Sequence, residues 1–162
     1  MSIFKPTVLI DSIFDIDADF IKRHHLKALL LDVDNTLAIY QTREPVPGVM
    51  EWIETMRALG VDLHILSNAK PKRLTAFANQ VHLPYFYMSL KPLPFKISKA
   101  VKKLGVEKQN VALVGDQLFT DILGGNLAGV QTVWVQYMQL EDGWTFQCKR
   151  RIETRFRKKY RR

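Results

Sequence analysis

The sequence predicts one α/β domain in which a parallel sheet carries helices on both of its faces. The short, continuous apolar runs at 28–31 and 111–114 have the length and composition of strands that are buried on both sides. The segments between the predicted strands repeat apolar residues at helical spacing. Such alternation of strands and helices is typical of a doubly wound α/β fold with right-handed crossovers.

The predicted elements follow one another along the chain. The strands are placed at 28–31, 61–66, 84–88, 111–114 and 130–135. Capping residues set the helix boundaries. One helix runs from Asp15 or Asp17 to His25 and a second from Pro47 to Gly60; a third begins at Pro71, and a fourth ends at Gly105. A further helix carries Asp121.

Length, composition and cysteine content bound the class of protein. A chain of 162 residues with 47% hydrophobic and 25% charged residues is typical of one globular domain. No apolar run approaches the length of a membrane span, and the first residues lack the pattern of a signal peptide. Cys148 is the single cysteine, so an internal disulfide is excluded. We therefore expect a cytoplasmic protein.

The positive charge is concentrated at the carboxyl end. The chain has 24 Lys or Arg and 16 Asp or Glu, but residues 149–162 hold nine of the basic residues and one acid, Glu153. Residues 1–148 are therefore neutral overall. This asymmetry predicts a globular domain at 1–148 and a basic tail at 149–162, whose roles need separate explanations.

Two carboxylates follow the first predicted strand. Asp32 and Asp34 come directly after the run 28–31, at the edge where open α/β sheets bind ligands. Two buried carboxylates repel each other unless a cation lies between them, and oxygen ligands suit a hard divalent ion. This predicts a site for a divalent cation; a solvated turn of Asx residues is the alternative.

Polar residues follow the other strands as well, and these are Ser67 with Asn68, Lys91, and Asp116 with Asp121. Because parallel strands end at one edge of the sheet, we expect these side chains to converge with the two carboxylates. Carboxylates, a hydroxyl, an ammonium group and a cation site are the groups that phosphoryl transfer uses. Taken singly, each residue has an ordinary explanation as a turn, cap or surface residue.

Four segments resemble, in order, the four motifs of haloacid dehalogenase superfamily phosphatases: Asp32-Val33-Asp34-Asn35-Thr36, Ser67-Asn68, Lys91-Pro92, and Gly115-Asp116 through Asp121. The resemblance spans residues 27–135 and implies a Rossmann-like sheet. The segment 12–17 and the form of the fourth motif are similar to subclass IIIA, in the branch called the YqeG family. That branch is related to mitochondrial phosphatidylglycerophosphate phosphatases.

The resemblance implies a role for each motif residue. Asp32 would attack phosphorus and form an aspartyl-phosphate. Asp34 would protonate the leaving group and then activate water. Ser67, with its neighbour Asn68, and Lys91 would bind the phosphate, and Lys91 would also restrain the charge of Asp32.

The resemblance also implies Mg²⁺ as the cofactor. The ion would be held by the Asp32 carboxylate, the backbone carbonyl of Asp34 and the Asp116 carboxylate. Asp121 would support it. Val33, between the two acids, is expected to point into the core.

The spacing between motifs leaves no room for a cap domain. The 33 positions from Asp34 to Ser67 and the 24 from Ser67 to Lys91 are filled by the predicted strands and helices. A cap normally excludes water and reads small substrates. Without one we expect an open site, and a phosphate presented on something large, such as a phospholipid head group, a protein or a nucleic-acid end.

The leading hypothesis is thus a Mg²⁺-dependent phosphomonoesterase acting on a substrate such as phosphatidylglycerophosphate. One alternative is a non-enzymatic phospho-receiver or binding module, which would not need the second acid, Asp34. Another is an RNA- or ribosome-associated protein with a phosphatase-like body.

The basic tail has a pattern of its own. Ile152, Phe156 and Tyr160 recur every four positions between Arg and Lys. A segment of this kind could lie on an anionic membrane surface or track a nucleic-acid backbone. The first alternative would make the cytoplasmic protein peripheral at the membrane. The alternatives are a solvated tail or a helix folded back on the body. If the tail only targets, deletion of 149–162 leaves turnover of small soluble phosphates nearly unchanged.

Overall fold

The computed structural model describes residues 2–86 and 89–161, and within them a six-stranded sheet forms the centre of the molecule. Its strands are β1 (Val8–Leu9), β2 (Ala28–Leu31), β3 (Asp62–Leu66), β4 (Tyr85–Phe86), β5 (Val111–Gly115) and β6 (Gln131–Trp134). The strand order is β1-β6-β5-β2-β3-β4, and every neighbouring pair is parallel. The predicted doubly wound α/β fold is therefore confirmed.

The helices alternate with the strands. They are α1 (Ala18–Arg23), α2 (Val49–Ala58), α3 (Pro71–Gln80), α4 (Pro94–Leu104), α5 (Leu123–Ala128) and α6 (Trp144–Tyr160). Two short 3₁₀ turns at Ile13–Asp15 and Lys108–Asn110, and a π-helical turn at Leu118–Ile122, complete the described elements.

The central strand β2 shows why both faces of the sheet are covered. Leu29 and Leu31 point into a core cluster that includes apolar side chains of α1, α2 and α3. Ala28 and Leu30 point into a second cluster with side chains of α4 and α5. Because all four residues are fully buried, this strand is continuously apolar rather than alternating. Val33 is buried in the first cluster, as predicted.

The start of α2 differs from the prediction. Pro47 was expected in the first helical turn, but the helix begins at Val49 and Gly48 is its N-cap, with φ +90°. That backbone conformation is one that glycine adopts without strain, so the chain turns at Gly48 and Pro47 lies outside the helix.

Other elements differ from the prediction at their ends or were not predicted. Of the two proposed caps, Asp17 caps α1 by accepting a hydrogen bond of 2.8 Å from the Phe20 amide, and this helix ends at Arg23 rather than His25. β1 was not predicted, because two residues are too short to show a periodicity. β4 takes up part of the predicted strand 84–88, of which residues 87 and 88 lie outside the described residues.

The basic carboxyl-terminal segment forms most of α6, and the predicted boundary between 148 and 149 falls inside this helix. Arg150, Glu153 and Arg157 are buried. Phe156 and Tyr160 pack against a third core cluster beside β6. The segment is thus a helix folded back on the body, which is one of the alternatives that the sequence left open.

No helix found in residues 2–86 and 89–161 combines the length and apolar character that a bilayer span requires.

Candidate active site

The sheet brings the predicted motif residues to its carboxyl edge. β2 and β5 are neighbours, with Leu31 paired to Val114, so the residues that follow them come out side by side. The Asp32 amide donates to the Val114 carbonyl over 2.9 Å and extends this pairing by one residue. Asp116 follows β5 directly. The expected convergence of the first and fourth motifs therefore occurs.

Asp32, Asp116 and Asp121 form a compact carboxylate cluster. One oxygen of each lies within 4.8 Å of an oxygen of the others, and the residues are only 6%, 1% and 0% exposed. Asp121 reaches the cluster from the π-helical turn 118–122. Gly115 makes room for it, since a Cβ atom at this position would lie 2.2 Å from the Asp121 Cγ.

Lys91 supplies the positive charge inside the cluster. Its Nζ lies 3.0 Å from Asp32 Oδ1 and 2.7 Å from Asp121 Oδ1, and it donates to the Leu66 carbonyl over 2.8 Å. Burial opposes the charge of this ammonium group, but Asp121 and Asp32 outweigh it and raise the pKa of Lys91. The side chain is therefore a charged lysine, as the predicted restraint on Asp32 requires.

One ammonium group does not neutralise three carboxylates. Burial raises the pKa of Asp32 to about 6 even though Lys91 acts to lower it. Burial also raises the pKa of Asp116 well above its ordinary value, against the opposing effect of Arg150. In addition, the buried Asp116 Oδ1 has no hydrogen-bond partner. A buried set of carboxylate oxygens with one oxygen unsatisfied fits a hard divalent cation such as Mg²⁺.

Ser67 and Asn68 follow β3, at the same edge. Ser67 is buried, and its Oγ accepts a hydrogen bond of 3.2 Å from the Ala69 amide. The Asn68 side chain donates to the Lys91 carbonyl over 3.0 Å and accepts from the Lys91 amide and the Ser89 hydroxyl. Asn68 thus braces the loop that carries Lys91. Direct binding of phosphate by Ser67 and Asn68 stays a prediction.

Asp34 is not a member of the carboxylate cluster. Its two oxygens accept hydrogen bonds of 2.6 and 2.7 Å from the guanidinium group of Arg73, on α3. The Gln41 amide also donates to Asp34 Oδ1, over 2.8 Å. The side chain is 18% exposed, so among the motif acids it is the one nearest to solvent. Nothing in the sequence pattern singled out Arg73.

Arg150 is the second residue that the sequence did not reveal. Although it belongs to the basic tail, it is 3% exposed and its guanidinium group meets three acids. Its Nη2 contacts both Asp116 Oδ2 and Glu141 Oε1. Its Nη1 lies 2.7 Å from Glu153 Oε2 and donates to the Asp116 carbonyl over 3.0 Å. The one signal available was that Glu153, three residues on, is the single acid in the tail.

α6 makes a contact with the site that the sequence did not predict. No cap domain separates the motifs, since the described parts of 35–66 and 68–90 each contain one helix. The three carboxylates are nevertheless buried, and the side chain of Arg150 packs against Asp116 from α6. That the site is open to a large substrate stays a prediction.

Comparisons with known proteins agree with the motifs. A family model described as haloacid dehalogenase-like hydrolase matches residues 7–129. The probable phosphatase YqeG of Bacillus subtilis (strain 168) is 32% identical over 152 residues, covering 94% of this chain and 88% of that protein. The mitochondrial phosphatidylglycerophosphatase GEP4 of Saccharomyces cerevisiae is 27% identical over 148 residues, covering 83% of this chain and 79% of that protein.

A solved structure shares the fold. D,D-heptose 1.7-bisphosphate phosphatase from B. bronchiseptica, complexed with magnesium and phosphate, matches with a TM-score of 0.56 at 16% identity, over 68% of this chain and 80% of that one. The family match covers most of the chain, and the Bacillus protein matches nearly all of it. The chain therefore belongs to the haloacid dehalogenase-like hydrolase family and is a phosphatase of that family.

Proposed function

We propose that the protein is a Mg²⁺-dependent phosphomonoester hydrolase that works through an aspartyl-phosphate on Asp32. The observation that carries this proposal is the buried cluster of Asp32, Asp116 and Asp121 around Lys91, with Asp116 Oδ1 left without a partner. Neither a phospho-receiver nor an RNA-associated protein is favoured, because the family and the relatives are hydrolases.

The carboxylates of Asp32 and Asp116 and the backbone carbonyl of Asp34 would hold Mg²⁺, with Asp121 in support. When bound, the ion neutralises charge on the oxygens of the transferring phosphoryl group. The B. bronchiseptica phosphatase, which shares the fold, is complexed with magnesium and phosphate together, and this supports the choice of ion.

The chain's own residues then carry out two displacements. A carboxylate oxygen of Asp32 attacks phosphorus, and the bond from phosphorus to the leaving oxygen breaks. Asp34, which must be protonated and free of its paired contact with Arg73 for this step, gives its proton to that oxygen. Asp34 next removes a proton from water, whose oxygen attacks phosphorus. The bond to Asp32 breaks, inorganic phosphate leaves, and both acids return to their starting states. Lys91 and Ser67 hold the phosphoryl oxygens.

For the substrate we propose a phosphate that is presented at an anionic surface, with phosphatidylglycerophosphate as the candidate. The yeast relative, a phosphatidylglycerophosphatase, supports this choice. So do the exposed basic side chains of α6, in 149–160, which would contact an anionic bilayer from the cytoplasmic side. A groove of about 540 Å³ adds further positive charge, and it is lined by Tyr85, Phe86, Ser89, Lys96, Lys99, Lys102 and Lys103.

The proposal is tested by phosphate release from phosphatidylglycerophosphate in vesicles and from soluble phosphomonoesters, each with Mg²⁺ and with a chelator. The expected result is turnover that requires Mg²⁺, is faster on the vesicles and is absent in Asp32→Asn. Full activity in chelator would contradict the metal assignment. Equal rates on soluble and vesicle substrates would contradict the choice of a surface-presented phosphate.

A further inference from the structure

We propose that α6 is a working part of the active site, in which Arg150 is the positioning residue for the metal ligand Asp116 and the acids Glu141 and Glu153 hold Arg150 in place. This inference rests on the proposed function, because it concerns the same cluster. It assigns a role in building the site to a segment whose sequence has the pattern of a basic tail.

The contacts of Asp116 are the first argument. Arg150 Nη2 contacts Oδ2, while Arg150 Nη1 donates to the backbone carbonyl over 3.0 Å. The Trp134 indole donates to the same carbonyl over 2.8 Å. With Oδ2 and the backbone held, the carboxylate cannot rotate freely, and its remaining oxygen, Oδ1, is the one that has no partner. A donor that fixes one oxygen of a ligating carboxylate in this way orients the other oxygen toward the metal.

The charges around Arg150 form the second argument. A buried cation beside a metal ligand could act instead as a competitor for the metal. Here Arg150 also binds Glu141, through Nε at 2.8 Å, and Glu153, through Nη1 at 2.7 Å. These two carboxylates carry one negative charge more than the guanidinium group neutralises. The trio of Arg150, Glu141 and Glu153 therefore adds no net positive charge. The planar guanidinium group of Arg150 mainly fixes the orientation of the Asp116 carboxylate.

The third argument is that the same trio holds the other loops of the site. Glu153 Oε1 accepts a hydrogen bond of 2.8 Å from the Leu118 amide, where the turn that carries Asp121 begins. In the loop after β2, the Asn35 side chain donates to the Gln139 carbonyl over 2.9 Å and accepts a hydrogen bond of 3.0 Å from the Gln139 backbone amide. The Asn35 side chain also donates to Glu141 Oε1, over 3.4 Å. The loops after β2 and β5 are thereby tied to α6 through Arg150.

The test measures Mn²⁺ binding, by the free-ion signal in electron paramagnetic resonance, on the full chain and on single variants. Arg150→Met is expected to weaken Mn²⁺ binding by about tenfold or more, since loss of a residue that orients a metal ligand typically costs 10- to 100-fold in metal affinity. Arg150→Lys keeps the charge but not the fork, so it should recover only part of that loss. Arg151→Met is the matched control: it removes the same charge from the exposed neighbouring position and should bind Mn²⁺ like the wild type.

If Arg150 instead competes with the metal ion for Asp116, Arg150→Met should bind Mn²⁺ more tightly than the wild type. That outcome, or unchanged binding in both Arg150 variants, would overturn the positioning role. Urea unfolding of each variant identifies any that does not fold. If the Arg150 variants do not fold, Glu141→Gln provides the comparison, because it keeps the shape of the trio. Weaker Mn²⁺ binding is expected for this variant. If the wild type itself binds no Mn²⁺ and hydrolyses no phosphomonoester, the proposed function fails rather than the role of Arg150.

Discussion

At the scale of single residues, the site is defined by buried carboxylates whose negative charge the neighbouring basic side chains balance only in part. Lys91 reaches two of the three members of the cluster, and Arg150 reaches the third. Burial nevertheless raises the pKa values of Asp32 and Asp116. The folded chain without a metal therefore holds charges that it does not fully stabilise, and a divalent cation should stabilise the fold as well as the chemistry.

Asp32→Asn should stabilise the metal-free protein in a pH-dependent way. The pKa of Asp32 is raised from 3.8 to about 6, so the folded state favours the protonated form. The stability that this group contributes is fully present below pH 4 and is lost as the pH rises through 6. The difference in unfolding free energy between Asp32→Asn and the wild type should grow from less than about 1 kcal/mol at pH 4 to about 3 kcal/mol at pH 7. Urea titrations in chelator at both pH values measure it, and an equal difference at both would contradict the pKa shift.

Gly115→Ala should displace Asp121. The added Cβ would meet the Asp121 side chain at 2.2 Å, so we expect a loss of about 1–3 kcal/mol in unfolding free energy and weaker Mn²⁺ binding. A double-mutant cycle with Asp121→Gly isolates the cause. In the Asp121→Gly background the alanine should cost much less stability, and an undiminished cost would mean that the strain lies elsewhere.

The proximity of Asp32 and Lys91 could be predicted, because each follows a strand that the sequence pattern predicts and such strands end at one edge of the sheet. Arg73 and Arg150 could not. Each meets its carboxylate only through tertiary packing, across 39 positions for Asp34 and 34 for Asp116. A helical arginine that turns inward has the same sequence pattern as one that faces water.

At the scale of elements, α6 and the π-helical turn before α5 give the site its shape. The alternation of strands and helices was predictable, because apolar periodicity reports burial directly. The π-helical turn was not, since its residues satisfy an ordinary helical pattern, and it places Asp121 beside Gly115 and Lys91. In the tail pattern, Phe156 and Tyr160 do pack against the body, whereas Ile152 is exposed. The sequence did not show that Arg150, Glu153 and Arg157 form the buried side of α6.

Deletion of residues 149–162 should therefore abolish turnover even of small soluble phosphates, contrary to what a dispensable tail would predict. The deletion removes Arg150 and Glu153 and uncovers the cluster around Trp134, against which Phe156 packs. Circular dichroism and p-nitrophenyl phosphate turnover of the truncated chain measure the effect. A folded, fully active truncation would show that α6 is not part of the site.

At the scale of the whole molecule, one segment serves two environments. The inner side of α6 contacts Asp116 of the carboxylate cluster through Arg150, while its outer side exposes basic residues to solvent. A surface-bound substrate would bring both sides into use at once, because the contact with an anionic bilayer and the metal site would be joined by a single helix.

Charge reversal on the outer side should weaken membrane contact. Arg155→Glu combined with Lys158→Glu should reduce co-sedimentation with anionic vesicles several-fold at low salt, since each basic residue near such a surface contributes about 1 kcal/mol. High salt should diminish the wild-type binding too, and neutral vesicles serve as the control. If the double variant and the wild type sediment equally, the outer side of α6 is not the contact.

The measurement closest to the central claim is acid-quench trapping of the phosphoenzyme. The Asp34→Asn variant should hydrolyse the covalent intermediate slowly, because water activation is lost, and should therefore accumulate it. With a ³²P-labelled phosphomonoester and Mg²⁺, the label is expected on the peptide that contains Asp32, and it should be absent in chelator and in Asp32→Asn. Label on another peptide, or phosphate released by Asp32→Asn at the wild-type rate, would contradict the covalent mechanism.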